Sequence, residues 1–116
     1  MNRNLEDARE KIRSFNEKRN WNKFHSPKNL AMALSVEVGE LVEHFQWLTE
    51  DESRSVDAQK LADIKEEMAD ILIYLLNISD KLNIDLLDAV GEKLQINEKK
   101  YPVDKAFNSS KKYTDI

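Results

Sequence analysis

The sequence IKEEMADILIYLLNISDKL, residues 64–82, indicates the fold class most directly. Its middle, Ile71–Leu76, is apolar on every side and, taken alone, would fit a buried strand as well as a helix. Because it lies inside a longer pattern of helical period, we predict one helix over about 58–82. A helix that is apolar all round needs neighbours all round, and a chain of 116 residues supplies few of them. We therefore expect an all-α protein that forms an oligomer.

Further helices are predicted on both sides of this segment. Leu5–Lys18 has apolar residues at helical spacing, and Ser26–Pro27 is typical of an N-cap followed by proline at the first helical position. The helix that begins there should extend to about residue 48. Asp85 is a suitable N-cap for a last helix, which should end at about residue 100.

The remaining segments are short. A fragment of helix is expected after Thr49, and residues 103–116 are polar, rich in lysine and without a helical signal. The whole chain, 1–116, is therefore predicted to be one domain, a four-helix bundle with a flexible tail at about 103–116. Only two glycines and two prolines are present, which fits long helices better than a many-stranded sheet.

Composition and charge exclude several classes of function. The formal net charge of -4 argues against a non-specific grip on a nucleic-acid polymer. The absence of cysteine excludes disulfide scaffolds, thiolate zinc sites and cysteine nucleophiles. No stretch reaches the length of a membrane span, and the polar start Met1–Asn4 does not resemble a signal peptide, so a cytoplasmic protein is expected.

The segments LSVEVGELVEHF (34–45) and IKEEMADILIYL (64–75) repeat one arrangement of acids and apolar residues. At about 100° per residue, each apolar set forms a stripe, and each pair of acids lies on the same flank of that stripe. The two acids of a pair are three residues apart and face the same way. If the two helices pack through their stripes, four carboxylates meet: Glu37, Glu40, Glu67 and Asp70.

Crowded carboxylates repel one another unless a cation lies between them. Magnesium prefers oxygen ligands, so this set predicts a magnesium site for phosphoryl chemistry. A solvated acidic face is the ordinary alternative for either pair alone. A ferritin-like redox site is a rival, but it uses Glu-x-x-His motifs, whereas His44 lies four residues after Glu40 and no histidine follows Glu67.

The sequence also resembles the MazG-like nucleotide pyrophosphohydrolases, an all-α family with an ExxE…ExxD signature that the four acids match. The resemblance to the dCTP pyrophosphatase branch covers nearly the whole chain. It rests on these further segments: Arg19–Trp21, Phe24–Leu30, Phe45–Trp47, Asn97–Pro102 and Ser109–Tyr113.

This resemblance implies that Glu37, Glu40, Glu67 and Asp70 hold magnesium, with manganese as an alternative ion. It implies cleavage between the α and β phosphates, with Glu37 and Glu40 as candidate catalytic residues. It also implies a tetramer, assembled as a dimer of dimers, whose substrate pocket is shared between chains. His44 departs from the expected pattern and either tunes the metal site or is a surface substitution.

Side chains that hold the nucleotide are expected outside the acids. The resemblance implies base recognition by Trp21, His25, Trp47, Asn97 and Tyr101; aromatic rings stack on bases, and amides or imidazoles bond their edges. Tyr74, one turn after Asp70, either touches a phosphate or sugar or simply packs. As mobile point charges, three lysines are assigned to the phosphates: Lys93, Lys111 and Lys112.

Each assignment has an ordinary structural alternative. The two tryptophans could cap the ends of the bundle, His25 could bond the backbone before Pro27, and the lysines of the tail could serve solubility alone. The function expected from the sequence is magnesium-dependent hydrolysis of a (deoxy)nucleoside triphosphate, dCTP or a modified dCTP, that cleanses the nucleotide pool. The alternative is a non-catalytic helical module that binds a partner or a cation.

Overall fold

The computed structural model describes residues 3–116; Met1 and Asn2, part of the polar start, lie outside the described residues. Over residues 3–116 the chain forms helices and turns and no strand, which confirms the all-α prediction. The elements, in order, are α1 (Leu5–Lys18), a 3-10 turn (Asn22–Phe24), α2 (Pro27–Glu43), α3 (Glu50–Ser53), α4 (Ala58–Lys81), α5 (Leu86–Lys100), α6 (Val103–Ala106) and a 3-10 turn (Tyr113–Asp115).

Side-chain caps begin the helices where the sequence predicts them. The Ser26 hydroxyl accepts a hydrogen bond from the Asn29 amide at 3.1 Å, with Pro27 as the first helical residue of α2. The Asp85 carboxylate accepts one from the Asp88 amide at 3.1 Å and begins α5. Each cap satisfies an amide that has no partner within its helix.

The helix predicted to reach residue 48 ends earlier, so that boundary was wrong. α2 ends at Glu43, and residues 44–48 form turns. The amides of His44, Phe45 and Leu48 donate to carbonyls three residues back, at 3.2, 2.9 and 2.9 Å. Bonds of this kind tighten the end of a helix. The apolar spacing continues through these turns, which is why the sequence pattern overshoots.

The expectation that residues 103–116 have no helix was also wrong. α6 follows Pro102, whose carbonyl accepts hydrogen bonds from the amides of Lys105 and Ala106 at 3.0 and 2.9 Å. A second short turn covers Tyr113–Asp115. A single helical turn is too short to produce the periodicity by which longer helices are predicted.

The chain divides into two compact units, one up to Asn83 and one over Ile84–Ile116. In the first unit, α4 packs against α2 and α1. Among residues 3–83, three apolar side chains are buried: Leu30 of α2, and Ile64 and Leu76 of α4. The second unit contains α5, α6 and the last 3-10 turn.

Polar side chains join α1 to α4. Asn16 and Asn77 are 4% and 5% exposed, and the Asn16 amide donates to the Asn77 carbonyl oxygen at 2.7 Å. Further along, the Asp80 carboxylate accepts hydrogen bonds from the guanidinium groups of Arg9, at 3.0 Å, and Arg13, at 2.6 Å. These bonds fix how α1 lies on α4.

Much of the apolar surface of α4 is open in the single chain. Leu61, Met68, Leu72 and Leu75 are 58%, 57%, 42% and 39% exposed. Their spacing of seven, four and three residues places them on one stripe of the helix. A stripe of this kind is typical of an interface, and the oligomer stays a prediction. In the part of the chain that the structure describes, no helix is long and apolar enough to cross a membrane.

Candidate active site

The two packed helices bring the predicted acids together. Carboxylate oxygens of Glu37 from α2, and of Glu67 and Asp70 from α4, all lie within 4.8 Å of one another. Glu40, one turn after Glu37, is close enough to both glutamates to raise their pKa values. The cluster therefore lies where α2 packs against α4.

The electrostatics of the cluster favour a cation. Partial burial, together with the neighbouring carboxyl groups of Glu67 and Glu40, raises the pKa of Glu37 from 4.5 to about 7. Burial, then Glu40, also raises the pKa of Glu67. One oxygen of each glutamate, Oε2, is buried without a hydrogen-bond partner. Hard oxygen donors that repel one another and lack partners suit a divalent ion such as magnesium.

His44 lies beside these acids. Its Nε2 is 3.9 Å from Oε1 of Glu67, and the two side chains are 22% and 19% exposed. The Lys60 ammonium donates to the His44 carbonyl oxygen at 3.0 Å. Two alternatives were considered for His44: that its imidazole tunes the metal site, or that it is a surface substitution. Its position against the acids favours the first.

A cavity of about 370 Å³ adjoins the cluster, because Asp70 belongs to both. Two apolar or aromatic walls flank it, from α1 and from α4, and the connector after α1 closes one side. The lining residues are Lys11, Ile12, Phe15, Asn16, Trp21, His25, Asp70, Ile73, Tyr74 and Asn77. Binding pockets for organic ligands combine an apolar lining with a few polar groups in this way.

The end of α1 positions Trp21 in the cavity. Asn20 has a φ of 53° and follows the helix, in the left-handed region that asparagine tolerates well. The amides of Asn20 and Trp21 donate to the carbonyls of Glu17 and Asn16 at 3.1 and 3.0 Å, which is the Schellman arrangement. The indole then packs edge-on against Phe15, with ring centroids 5.5 Å apart. The local sequence thus folds the chain back and fixes the ring.

His25 lies on the other side of Trp21, with ring centroids 6.2 Å apart. Desolvation, followed by the charge of Lys81, lowers the pKa of His25 below its usual value, so the ring is neutral near pH 7. Its Nδ1 is buried without a partner. Nδ1 therefore makes no bond to the backbone before Pro27, which was the structural alternative for this side chain.

The other predicted substrate residues lie elsewhere. Trp47 is 87% exposed and outside the lining of this cavity. The remaining five belong to the second unit, where Tyr101 packs edge-on against Tyr113 with ring centroids 5.9 Å apart. Their roles stay predictions: Lys93, Asn97, Tyr101, Lys111 and Lys112.

The sequence did not predict six of the ten residues that line the cavity. Ile12 and Phe15 were identified only as apolar positions of a helix, and Ile73 only as part of the apolar run. No sequence pattern predicted a role for Lys11, Asn16 or Asn77. The one available signal was an asparagine inside each of two apolar helix faces, which is unusual unless the amide is satisfied.

Comparison with known proteins identifies the family. The model of the MazG-like family matches residues 32–116 of this chain. Human dCTP pyrophosphatase 1 is 42% identical over 97% of this chain and 67% of its own length, and the mouse protein of the same name is 40% identical over the same shares. A pyrophosphatase from Archaeoglobus fulgidus superposes with a TM-score of 0.81 at 42% identity, covering 88% of this chain and 95% of that one. The acid cluster, its cavity and these similarities agree: the chain belongs to the MazG-like family.

Proposed function

We propose that this chain hydrolyses dCTP, or a dCTP with a modified base, to the monophosphate and pyrophosphate, and so cleanses the nucleotide pool. One observation carries the proposal: the acid cluster and the aromatic cavity share Asp70. A nucleotide fits this arrangement, because its charged phosphate chain suits a cation held by the acids and its flat base suits the aromatic cavity. Similarity to dCTP pyrophosphatases supports the choice of substrate.

Glu37, Glu40, Glu67 and Asp70 are the residues that would hold magnesium. When bound, the ion neutralises the charge of the triphosphate and of the transition state. The unpartnered oxygens of Glu37 and Glu67 support this assignment, because a cation would satisfy both.

The protein's own side chains would place the nucleotide and the attacking water. The base enters the cavity beside Trp21 and Phe15, and Tyr74 stands between it and the acids on α4. The α-phosphate then lies at Asp70, where Glu40 or Glu37 accepts the proton of the water that attacks phosphorus. The bond from phosphorus to the bridging oxygen breaks, and pyrophosphate leaves.

Assembly would complete this site. In a homo-oligomer, a tetramer of four-helix subunits, the exposed stripe of α4 is covered. Trp47, which is exposed in the single chain, would contribute its indole to substrate binding in the assembly. Lys93, Lys111 and Lys112 would neutralise phosphates, and Asn97 and Tyr101 would contact the nucleoside.

The experiment is pyrophosphate release from a panel of dNTPs and NTPs, including 5-modified dCTP, with and without magnesium. We expect metal-dependent release with a cytosine deoxynucleotide preferred. Equal activity on many bases would keep the reaction and remove the dCTP assignment. No release from any nucleotide by folded protein would contradict the proposal and favour a non-catalytic binding module.

A further inference from the structure

The cavity contains a pair of buried amides that the acid cluster does not explain. Asn16 and Asn77 are its most buried polar lining residues, at 4% and 5% exposure, and one hydrogen bond of 2.7 Å joins them. A buried polar group in a helix interface costs stability unless its bonds are satisfied. Two leucines would hold the same helices together at lower cost. The pair therefore calls for a second role.

Each amide keeps a free group. The bond between them uses the Asn16 Nδ2 and the Asn77 Oδ1. The Asn16 Oδ1 remains as an acceptor and the Asn77 Nδ2 as a donor, and neither is among the buried atoms without a partner. Because both residues line the cavity, these groups face space that a ligand can fill. In this arrangement Asn16 presents an acceptor and Asn77 presents a donor to the cavity.

The pair lies at a suitable distance from the acids. Asp70 and Asn77 are two turns apart on α4, on the same face, at an axial separation of about 10 Å. Ile73 and Tyr74 lie between them and also line the cavity. This separation is comparable with the length of a nucleoside monophosphate from its phosphate to the far edge of its base. A phosphate at Asp70 would therefore direct the base edge at the amides.

We propose that Asn16 and Asn77 read the hydrogen-bonding edge of the base and determine which nucleotides are hydrolysed. The inference rests on the proposed function and adds to it the residues that select the substrate. His25, with its unpartnered Nδ1 in the same cavity, supplies a further polar contact for the nucleoside.

The chemistry of the pair suits cytosine. An amino group at position 4 donates to the Asn16 Oδ1, and the ring N3 accepts from the Asn77 Nδ2. With the Asn16 Nδ2 bonded to the Asn77 Oδ1, uracil or thymine in the same position places its O4 against the Asn16 Oδ1 and its N3–H against the Asn77 Nδ2, so both contacts are repulsive. A site that leaves its polar groups unpaired with the wrong ligand discriminates strongly.

The test compares wild-type protein with the double variant Asn16→Leu/Asn77→Leu. Removing both partners leaves no unpaired amide in the interface, so this variant is expected to fold. Ser79→Ala is the matched control: Ser79 is also buried on α4, but its hydroxyl donates to the Leu76 carbonyl and does not line the cavity. The measurements are kcat and KM for dCTP and dTTP, and calorimetric binding of dCMP and dTMP.

In the double variant we expect the ratio of kcat/KM for dCTP over dTTP to fall at least about tenfold, through KM. The control should keep the wild-type ratio. If the folded double variant keeps the wild-type preference, the inference is wrong. If wild-type protein releases no pyrophosphate, the proposed function fails, but binding still decides the inference: a preference for dCMP that the double variant loses supports it, and an unchanged or absent preference overturns it.

Discussion

Glu37 has a carboxyl group whose pKa is raised well above its usual value. Its pKa of about 7 reflects partial burial and the crowding of Glu67 and Glu40. The sequence was sufficient to predict this crowding, because two helical repeats with acids at matched positions can pack in few ways. Asn16 and Asn77 could not be predicted as a pair, since 61 residues separate them and no spacing rule connects positions so far apart.

Replacing Glu40 by glutamine keeps the size of the side chain and removes one anionic ligand and the candidate proton acceptor. We expect magnesium-dependent pyrophosphate release to fall by more than about a hundredfold, since losing several kcal/mol of transition-state stabilisation costs about tenfold per 1.4 kcal/mol. The measurement is kcat/KM at saturating magnesium. Glu43→Gln, which changes an exposed acid of the same helix, should behave as wild type. A Glu40→Gln variant at the wild-type rate would exclude the metal-centred mechanism.

The raised pKa of Glu37 predicts how stability depends on pH without metal. The folded protein holds a proton that the unfolded chain releases above pH 4.5, so the contribution is present below that pH and is lost as pH rises through about 7. Thermal unfolding of metal-free protein should show this fall, and Glu37→Gln should flatten it. Magnesium should bind with release of a proton below pH 7, visible by calorimetry in buffers of different ionisation enthalpy. If the stability of metal-free wild-type protein and of Glu37→Gln falls with pH at the same slope, a group other than Glu37 titrates.

Helices α2 and α4 were predicted in type and position because their apolar stripes are long and their caps are explicit. The end of α2 was not predicted, since residues 44–48 keep helical spacing while the amides of His44, Phe45 and Leu48 bond to carbonyls three residues back. α6 was missed because one turn has no period. Boundaries and single turns depend on local hydrogen bonds that the pattern of apolar residues does not record.

The contact of α1 with α4 depends on Asp80. Its pKa is lowered chiefly by the hydrogen bond from Arg13. Both arginines that bond it, Arg9 and Arg13, are partly buried cations, and Asp80 balances their charge. Asp80→Asn should reduce the free energy of unfolding by about 2 kcal/mol, measured by urea denaturation at pH 7. Asp51→Asn is the control, because its pair with Arg54 is exposed and exposed pairs contribute little.

A lowered carboxyl pKa stabilises above its unfolded value of 3.8, and the contribution disappears as pH falls through the folded value. The difference between wild type and Asp80→Asn should therefore shrink in strong acid. Equal losses for the Asp80 and Asp51 variants at pH 7 would show that the arginine pair does not hold α1 in place.

For the whole molecule, the exposed stripe on α4 predicts association. Leu72→Glu places a charge at its centre and should dissociate the oligomer, measured as mass by light scattering on a sizing column. Ala62→Glu introduces the same charge elsewhere on the exposed surface of α4 and should leave the mass unchanged. Wild-type protein that is monomeric at micromolar concentration would contradict the prediction.

The most direct test of the account is hydrolysis of dCTP in water enriched in oxygen-18, with magnesium, followed by mass analysis of both products. Attack at the α-phosphorus beside the four acids predicts one labelled oxygen in the monophosphate and none in pyrophosphate. Label in pyrophosphate, or release of orthophosphate with a diphosphate, would contradict the proposed placement of the substrate.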